Sequence, residues 1–582
     1  MLRNRILMFA AFIGLLGLLP HLLFSLNTGE LHYVTSAWDE DSYTKYLLTH
    51  QDQTYRLLGS ILSRVIHKFL GLDLAIIVMD TFLPAISAAL AVMLAHTLGF
   101  TQRKHWLLAS CLILFPLELL SLSNPHLWQD ALVKFSPFAG ADYTAPIRQF
   151  VPSVYQNFFS IYKSPEPQFT LIFHLFALYV LLRHTQTHAR YYVLFLLPIA
   201  VILPFIYITT SISLLMFIAT YAALGLLIFH KRHYWYWLGA TLCVGAYVAW
   251  AQFFFAHEHE GPEVIFFSRL PIISASVLLG LFGLWVIWRN WRFKLPPNAL
   301  LAAAAFIVPI ATLNQQLMTG IMVQSRSWEY YSNYPFIAFG LLLIWPEISA
   351  LLPKRILRNA SRICVILITL ICVAQFMSYK GYQKGDLVAL GYADGIKTAN
   401  ITNEYVLLDN PDHDSAVWLR VGDPNLKILA GYQDIIANPI HPLQDVDYAV
   451  TYERMRDRAF TLFDRKGIEP FELQQHIKDG IGSGGWYVRY FFALLDCWYP
   501  LSDFRNKNPD MMLERIPYIV TDYQEFLNDP KRRNQFGELL YLTETPIREL
   551  RDEVPWINQK VALIIEGKWR QKSIYVYRQI PR

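Results

Sequence analysis

Three carboxylates stand side by side at Asp39, Glu40 and Asp41, between Trp38 and Ser42. Acids this close raise one another's pKa, and a carboxylate poised in that way can act as a general base toward a hydroxyl. The plainer reading is a solvated acidic turn or the N-cap region of a helix. The residues that follow favour chemistry. From Tyr55 onward Leu58, Ile61, Leu62, Val65, Ile66 and Phe69 recur at helical spacing, with Arg56, Ser60, Arg64 and Lys68 on other faces. This is an amphipathic helix suited to a membrane interface. An acidic cluster in front of it sits where the head group of a lipid-linked substrate would be.

Other segments carry chemistry of a complementary kind. Residues 123–168 hold Arg148 and Lys163 among several prolines. If the substrate carries phosphate, Arg148 can bind it bidentately and Lys163 adds charge; the alternative is contact with lipid head groups. Asn314, Gln315, Arg326, Trp328 and Glu329 combine amides, charges and an aromatic ring, as recognition of a sugar or its acceptor requires, although interfacial aromatics also serve as anchors. His257 and His259, beside Glu258, Glu260 and Glu263, are candidate ligands of a divalent cation, but neighbouring residues converge on one point only through a tight fold, and a polar hairpin explains them as well. Gly480, Gly482 and Gly485 satisfy a G-x-G-x-x-G pattern without the strand before and the helix after that a dinucleotide site needs, so a loop is expected. Asp80, Glu118 and His174 are ionisable residues inside apolar runs, where such groups are costly and often functional.

These residues are set in an apolar chain. Of 582 residues 54% are hydrophobic and 16% charged, against roughly 25% charged for soluble domains. Lys+Arg 50 against Asp+Glu 45 leaves +5, too little in this length to point to nucleic acid. Five dispersed cysteines without a C-x-x-C exclude a disulfide framework or a zinc knuckle. About eleven apolar runs approach the ~20 residues that cross a bilayer: 6–26, 72–98, 106–122, 169–182, 191–207, 211–230, 234–256, 270–288, 299–313, 335–352 and 364–379. Basic residues fall at every second connection (Arg3 and Arg5; Arg103 and Lys104; Arg183 and Arg190; Lys231 and Arg232; Arg289, Arg292 and Lys294; Lys354, Arg355 and Arg358). By the positive-inside rule these connections and the N-terminus are cytoplasmic. The connections 27–71, 123–168, 257–269 and 314–334, and everything after 379, then face outward. The first run follows two arginines like a signal peptide but lacks a small-x-small cleavage site, and is expected to stay as a helix.

The expected fold is therefore an α-helical polytopic membrane domain over 1–379, followed by a soluble, extracytoplasmic α/β domain over 380–582. Strands are expected at 405–408, 427–429, 448–451 and 518–521, with a closing hairpin of 562–565 and 573–577 around Glu566, Gly567 and Lys568. Helices are expected at 453–466 and 472–478.

The arrangement resembles the GT-C superfamily of polytopic glycosyltransferases. The resemblance rests on the acidic motif Asp39, Glu40 and Asp41 in the first outward connection, the interfacial helix behind it, Arg148 and Lys163 in a later outward connection, the many spans and the outward C-terminal domain. The stretch 314–320 with Trp328 is similar to a segment of bacterial members. The chain departs from better-known members in having D-E-D in place of an acidic pair, and in lacking a W-W-D signature. The resemblance implies a sugar donor on a polyprenyl phosphate, a glycan, lipid or protein acceptor, transfer with inversion, and Asp39 or Asp41 as the base. It also implies that Arg148 and Lys163 balance the departing phosphate and that the C-terminal domain caps the site or recruits the acceptor. Some relatives use a divalent cation. The rival expectations are an inactive envelope scaffold and a transporter of lipid-linked glycans, although no pairing of broken helices in two halves is visible.

Overall fold

A computed structural model of the chain describes residues 2–29, 57–102, 105–115, 168–187, 191–255, 274–292, 294–319, 328–352, 387–401, 509–535, 537–543, 561–569 and 572–579, with shorter pieces at 31, 33, 162, 189, 265–267, 271, 321–323, 404–407, 426–429 and 546 and within 359–372, 419–423 and 457–475. The chain divides into two units, 1–257 with 267–382 and 258–266 with 383–582.

The first unit is helical. Its helices are α1 (Leu2–Thr28), α2 (Leu57–Leu70), α3 (Leu72–Thr97), α4 (His105–Leu114), α5 (Gln168–Thr187), α6 (Ile208–Phe229), α7 (His233–Phe255), α8 (Ala275–Trp291), α9 (Pro297–Leu313), α10 (Tyr334–Leu343) and α11 (Trp345–Leu351). Three are long and apolar enough to cross a membrane, over Leu2–Leu26, Asp73–Thr97 and Ile208–Phe229; α10 and α11, bent by 78°, make a fourth if taken as one span. The remaining expected spans are shorter or less apolar among the described residues. The run 191–207 is not one helix: it breaks into Tyr191–Leu194, Leu196–Ile202 and a 3₁₀ turn Leu203–Phe205. Pro198 and Pro204 remove backbone donors there, which a continuous helix needs. The bend in 335–352 has a like cause, since Pro346 cannot donate across the joint at Ile344. Residues 116–122 and most of 364–379 lie outside the described residues.

Helices in this unit approach closely where an aromatic ring lies over a glycine. Phe306 of α9 sits between Gly283 of α8 and Gly340 of α10; a Cβ added at Gly283 would overlap the ring, and one at Gly340 would lie 2.7 Å from it. Tyr234 covers Gly225 and Tyr162 covers Gly17 in the same way. Meanwhile Met8, Phe82, Leu227 and Leu242 point outward on helices whose other faces are packed. Such large apolar side chains are what a water-soluble bundle would turn inward.

The second unit is α/β. Strands β1 (Tyr405–Leu407), β2 (Lys427–Leu429), β3 (Leu539–Thr543), β4 (Val561–Trp569) and β5 (Lys572–Gln579) form one sheet in the order β2-β1-β3-β5-β4. β2, β1 and β3 are parallel, whereas β3, β5 and β4 are antiparallel. Three differences from the expected elements stand out. The segment 518–521 lies inside a helix, α12 (Pro509–Asn528), because its buried residues Ile516, Ile519, Tyr523 and Phe526 repeat every three or four positions. β3 was not expected, although it is the strand that joins the parallel and antiparallel halves. The hairpin turn falls between Trp569 and Lys572, so Glu566, Gly567 and Lys568 belong to β4, which carries a bulge between Leu563 and Ile565. The helical residues within 457–464 and the helix at 470–475 agree with expectation; 448–451 lies outside the described residues.

Two arginines fasten this unit. Arg532 holds Asp457 through contacts of 2.6 and 3.2 Å, and Arg533 holds Asp464 through contacts of 2.6 and 3.0 Å. The bond to Asp464 raises the pKa of Arg533 further above its ordinary value. Beneath them Phe460, Phe463, Tyr523 and Phe526 pack as an aromatic cluster.

Two outcomes follow for thermal unfolding of the detergent-solubilised chain. Gly283→Ala is expected to cost about 1–3 kcal/mol by displacing Phe306, whereas Gly239→Ala, where an added Cβ meets nothing within 4 Å, should be neutral or gain about 0.5–1 kcal/mol from helix propensity. Arg533→Ala is expected to cost the second unit about 1.5–3 kcal/mol, the range for a hydrogen bond to a charged group.

Candidate functional site

Most of the buried polar groups of the helical unit lie near one end of its helices. Asp80, 2% exposed, lies on the third turn of α3. His21 of α1 places Nε2 3.1 Å from one carboxylate oxygen, and Gln168, the first residue of α5, donates from Nε2 to the other at 2.6 Å. The backbone admits this because Gly17, one turn before His21, packs against the Asp80 carbonyl without a side chain between them. Tyr162 covers the same spot and donates its hydroxyl to the Ile13 carbonyl at 2.9 Å.

A second set continues from there. Thr170, two residues after Gln168, accepts from the Tyr207 N–H at the head of α6. Thr209 and Thr210 in the first turn of α6 meet Ser332 at 3.4 and 3.3 Å. Thr312, at the last turn of α9, donates to Asn333 Oδ1 at 3.0 Å. Ser332 and Asn333 close a single π-helical turn, Trp328–Asn333, which leads into α10. Such turns interrupt regular helices and are frequent at functional sites. Every one of these groups is neutral and buried, so the seam can orient hydroxyls without adding charge.

His174 is fully buried one turn below Thr170, its ring 4.6 Å from that of Phe336, and among the described residues neither its ring nitrogens nor Ser213 Oγ on α6 have a hydrogen-bond partner.

The opposite ends of the same helices have another character. Arg5 at the start of α1 donates to the Thr101 carbonyl beyond α3 at 2.7 Å and lies over the Trp106 ring at the start of α4. Gln186 at the end of α5 donates to the Thr97 carbonyl. His184 meets Trp237 at the start of α7, and Arg183 donates to Tyr192. Basic and aromatic side chains thus collect at one end, and Asp80 with the hydroxyl groups at the other.

Of the residues singled out from sequence, Asp39, Glu40, Asp41, Arg148, Lys163, Arg326, His257 and His259 lie outside the described residues, as do Glu118 and the glycine stretch 480–485. Asn314 caps α9, is half-buried and donates from its side chain to the Ile310 carbonyl; Gln315 follows it in a turn. Trp328, 3% exposed, opens the π-helical turn and Glu329 follows it. The contact of Thr312 with Asn333 brings the end of α9, from which Asn314 projects, against that turn. Asp80 and His174 were recognised as ionisable residues within apolar runs. The partners of Asp80 were not; the available signal was a lone histidine late in the first run and a glutamine heading the fourth. Among the described residues no three His, Cys, Asp or Glu side chains converge as a metal site.

No protein-family model matches the chain, and no curated protein matches it.

Removing one partner of the buried carboxylate tests the network. His21→Leu is expected to lower stability in detergent by about 1.5–3 kcal/mol, the scale of a hydrogen bond to a charged group. Combining it with Asp80→Asn should recover part of that loss, because a neutral amide tolerates the missing imidazole better. Additive losses in the thermal midpoints would show that the two residues do not act on each other.

Proposed function

We propose that the protein is an integral-membrane glycosyltransferase that moves a sugar from a polyprenyl-phosphate donor to an extracytoplasmic acceptor. The reading is carried by the asymmetry of the helical unit, whose buried hydrogen-bonding groups concentrate at one end. Residues 30–56 and 116–167, which contain Asp39, Glu40, Asp41, Arg148 and Lys163, connect helices at that end, as does the connection from Asn314 and Gln315 to Trp328. The other end bears Arg5, Arg183, Lys231 and Arg232 with exposed Tyr191, Trp235 and Tyr236. Basic residues with an aromatic belt are the pattern of a cytoplasmic membrane boundary, which supports a cytoplasmic N-terminus; about eleven spans and an outward second unit go with that reading. A transporter would place its polar groups nearer the bilayer middle, between broken half-helices.

In this reading Asp39 or Asp41 takes the proton from the acceptor hydroxyl as its oxygen bonds to the anomeric carbon, with Glu40 adding negative charge beside them. The bond from that carbon to the phosphate oxygen breaks, and a single displacement inverts the configuration. Arg148 and Lys163 stabilise the charge gathering on the lipid phosphate. Asn314, Gln315, Arg326 and Glu329 supply hydrogen bonds for hydroxyls, with Trp328 fixing the turn that carries them. His257 and His259 are the residues that would approach a divalent cation.

The test is mass-spectrometric profiling of envelope glycans in cells lacking the protein and in cells rescued with the native chain, Asp39→Asn or Asp41→Asn. Loss of one defined sugar is expected, restored by the native chain, while at least one variant transfers about 10²-fold or more slowly, as removal of a general base requires. Full restoration by both variants would remove the first connection from the mechanism. An unchanged profile in the deletion would point instead to a scaffold or a transporter.

A further inference from the structure

Helix α2 is packed in the reverse sense to a helix of a water-soluble protein. Its small residues Gly59 and Ser63 are buried, and Ser63 donates to the Gly59 carbonyl. Its apolar residues Ile61, Val65 and Phe69, spaced by four along one stripe, are 44%, 48% and 78% exposed. Four-residue spacing keeps them on one face of the helix, so this is a continuous apolar strip rather than scattered exposure. Packing of α2 against α3 uses the narrow side and leaves the strip outward.

The charges border that strip. The fourteen residues of α2 contain no acid, and Arg64 and Lys68 follow one another at a spacing of four along one edge of the strip, with Lys68 exposed. A cation beside an apolar face places its stem along hydrocarbon and its ammonium at the level of phosphates. A neutral bilayer would be enough for the strip alone. The absence of acid from α2, together with its bordering lysine, adds complementarity to a negatively charged surface.

We infer that α2 is a docking element for anionic phospholipid: Ile61, Val65 and Phe69 enter the acyl boundary, and the exposed Lys68 engages head-group phosphates. The inference rests on the membrane reading of the helical unit but not on sugar transfer.

The experiment uses the full chain, reconstituted in vesicles of phosphatidylcholine alone or with a minority of phosphatidylglycerol, with p-benzoylphenylalanine in place of Phe69 or Ile61. After irradiation, adducts are identified by mass spectrometry. Phospholipid adducts are expected at both positions. In mixed vesicles the adduct ratio of phosphatidylglycerol to phosphatidylcholine should exceed the bulk ratio by about fivefold, the factor that corresponds to ~1 kcal/mol for one basic residue near an anionic surface. Lys68→Gln should return it to the bulk ratio. Adducts at the bulk ratio with native Lys68 would overturn the anionic preference. Crosslinks to a second copy, to another part of the chain, or to no lipid at all would overturn the docking assignment, whatever the glycan profile shows. A normal glycan profile with lipid adducts at these positions would leave α2 in place and overturn only the transfer.

Discussion

A carboxylate with almost no access to solvent has to find its hydrogen-bond donors within the fold, and at Asp80 that requirement determines how three helices meet. The imidazole of His21 and the amide of Gln168 come from α1 and α5, so α1, α3 and α5 are tied at one point. The tie in turn demands close approach of α1 and α3, which Gly17 permits. Tyr162 then seals the contact and gives its own hydroxyl to α1. Leaving any of these polar groups unpaired in such surroundings would cost far more than the net gain of an average hydrogen bond.

The rest of the helical unit follows the same logic. Where the surroundings are apolar, hydrophobic burial does little to drive helices together, and association depends on close packing and on hydrogen bonds between helices. Phe306 between Gly283 and Gly340 is the packing half of that rule. The contacts from Thr170 through Thr209, Thr210 and Ser332 to Thr312 and Asn333 are the hydrogen-bonding half. Because these bonds lie near one end, the fold holds that end together through directional contacts and the other through basic and aromatic side chains. The second unit is held by another balance, with a mixed sheet, an aromatic cluster, and two arginines that each bind both carboxylate oxygens of an aspartate.

How much of this was legible varies with the range of the interaction involved. The helix at 57–70, the strands at 405–407 and 427–429 and the pairing of 561–569 with 572–579 are written in local periodicity and β-branched content. The strand expected at 518–521 is a helix: its four residues are aromatic and β-branched, and the helical repeat shows only when Ile516, Tyr523 and Phe526 are read with them. β3 went unrecognised because a central strand flanked on both sides has no alternation of polar and apolar residues to mark it. The run 191–207 has the composition of a span, yet two prolines divide it.

By itself the sequence determined the apolar character of the first unit, the α/β character of the second, and the residue types able to do chemistry in the segments between helices. These depend on composition and on neighbours a few positions apart. Only the tertiary structure decided that His21 meets Asp80 across 59 positions, that Gln168 reaches it across 88, and that Thr210 finds Ser332 across 122. Such pairs leave no local pattern, because each side chain is specified by its own helix while the distance between them is set by how the helices pack. The burial of Gly59 and Ser63 and the exposure of Ile61, Val65 and Phe69 belong to the same class: periodicity defines the two faces of α2, and only packing chooses which one turns inward.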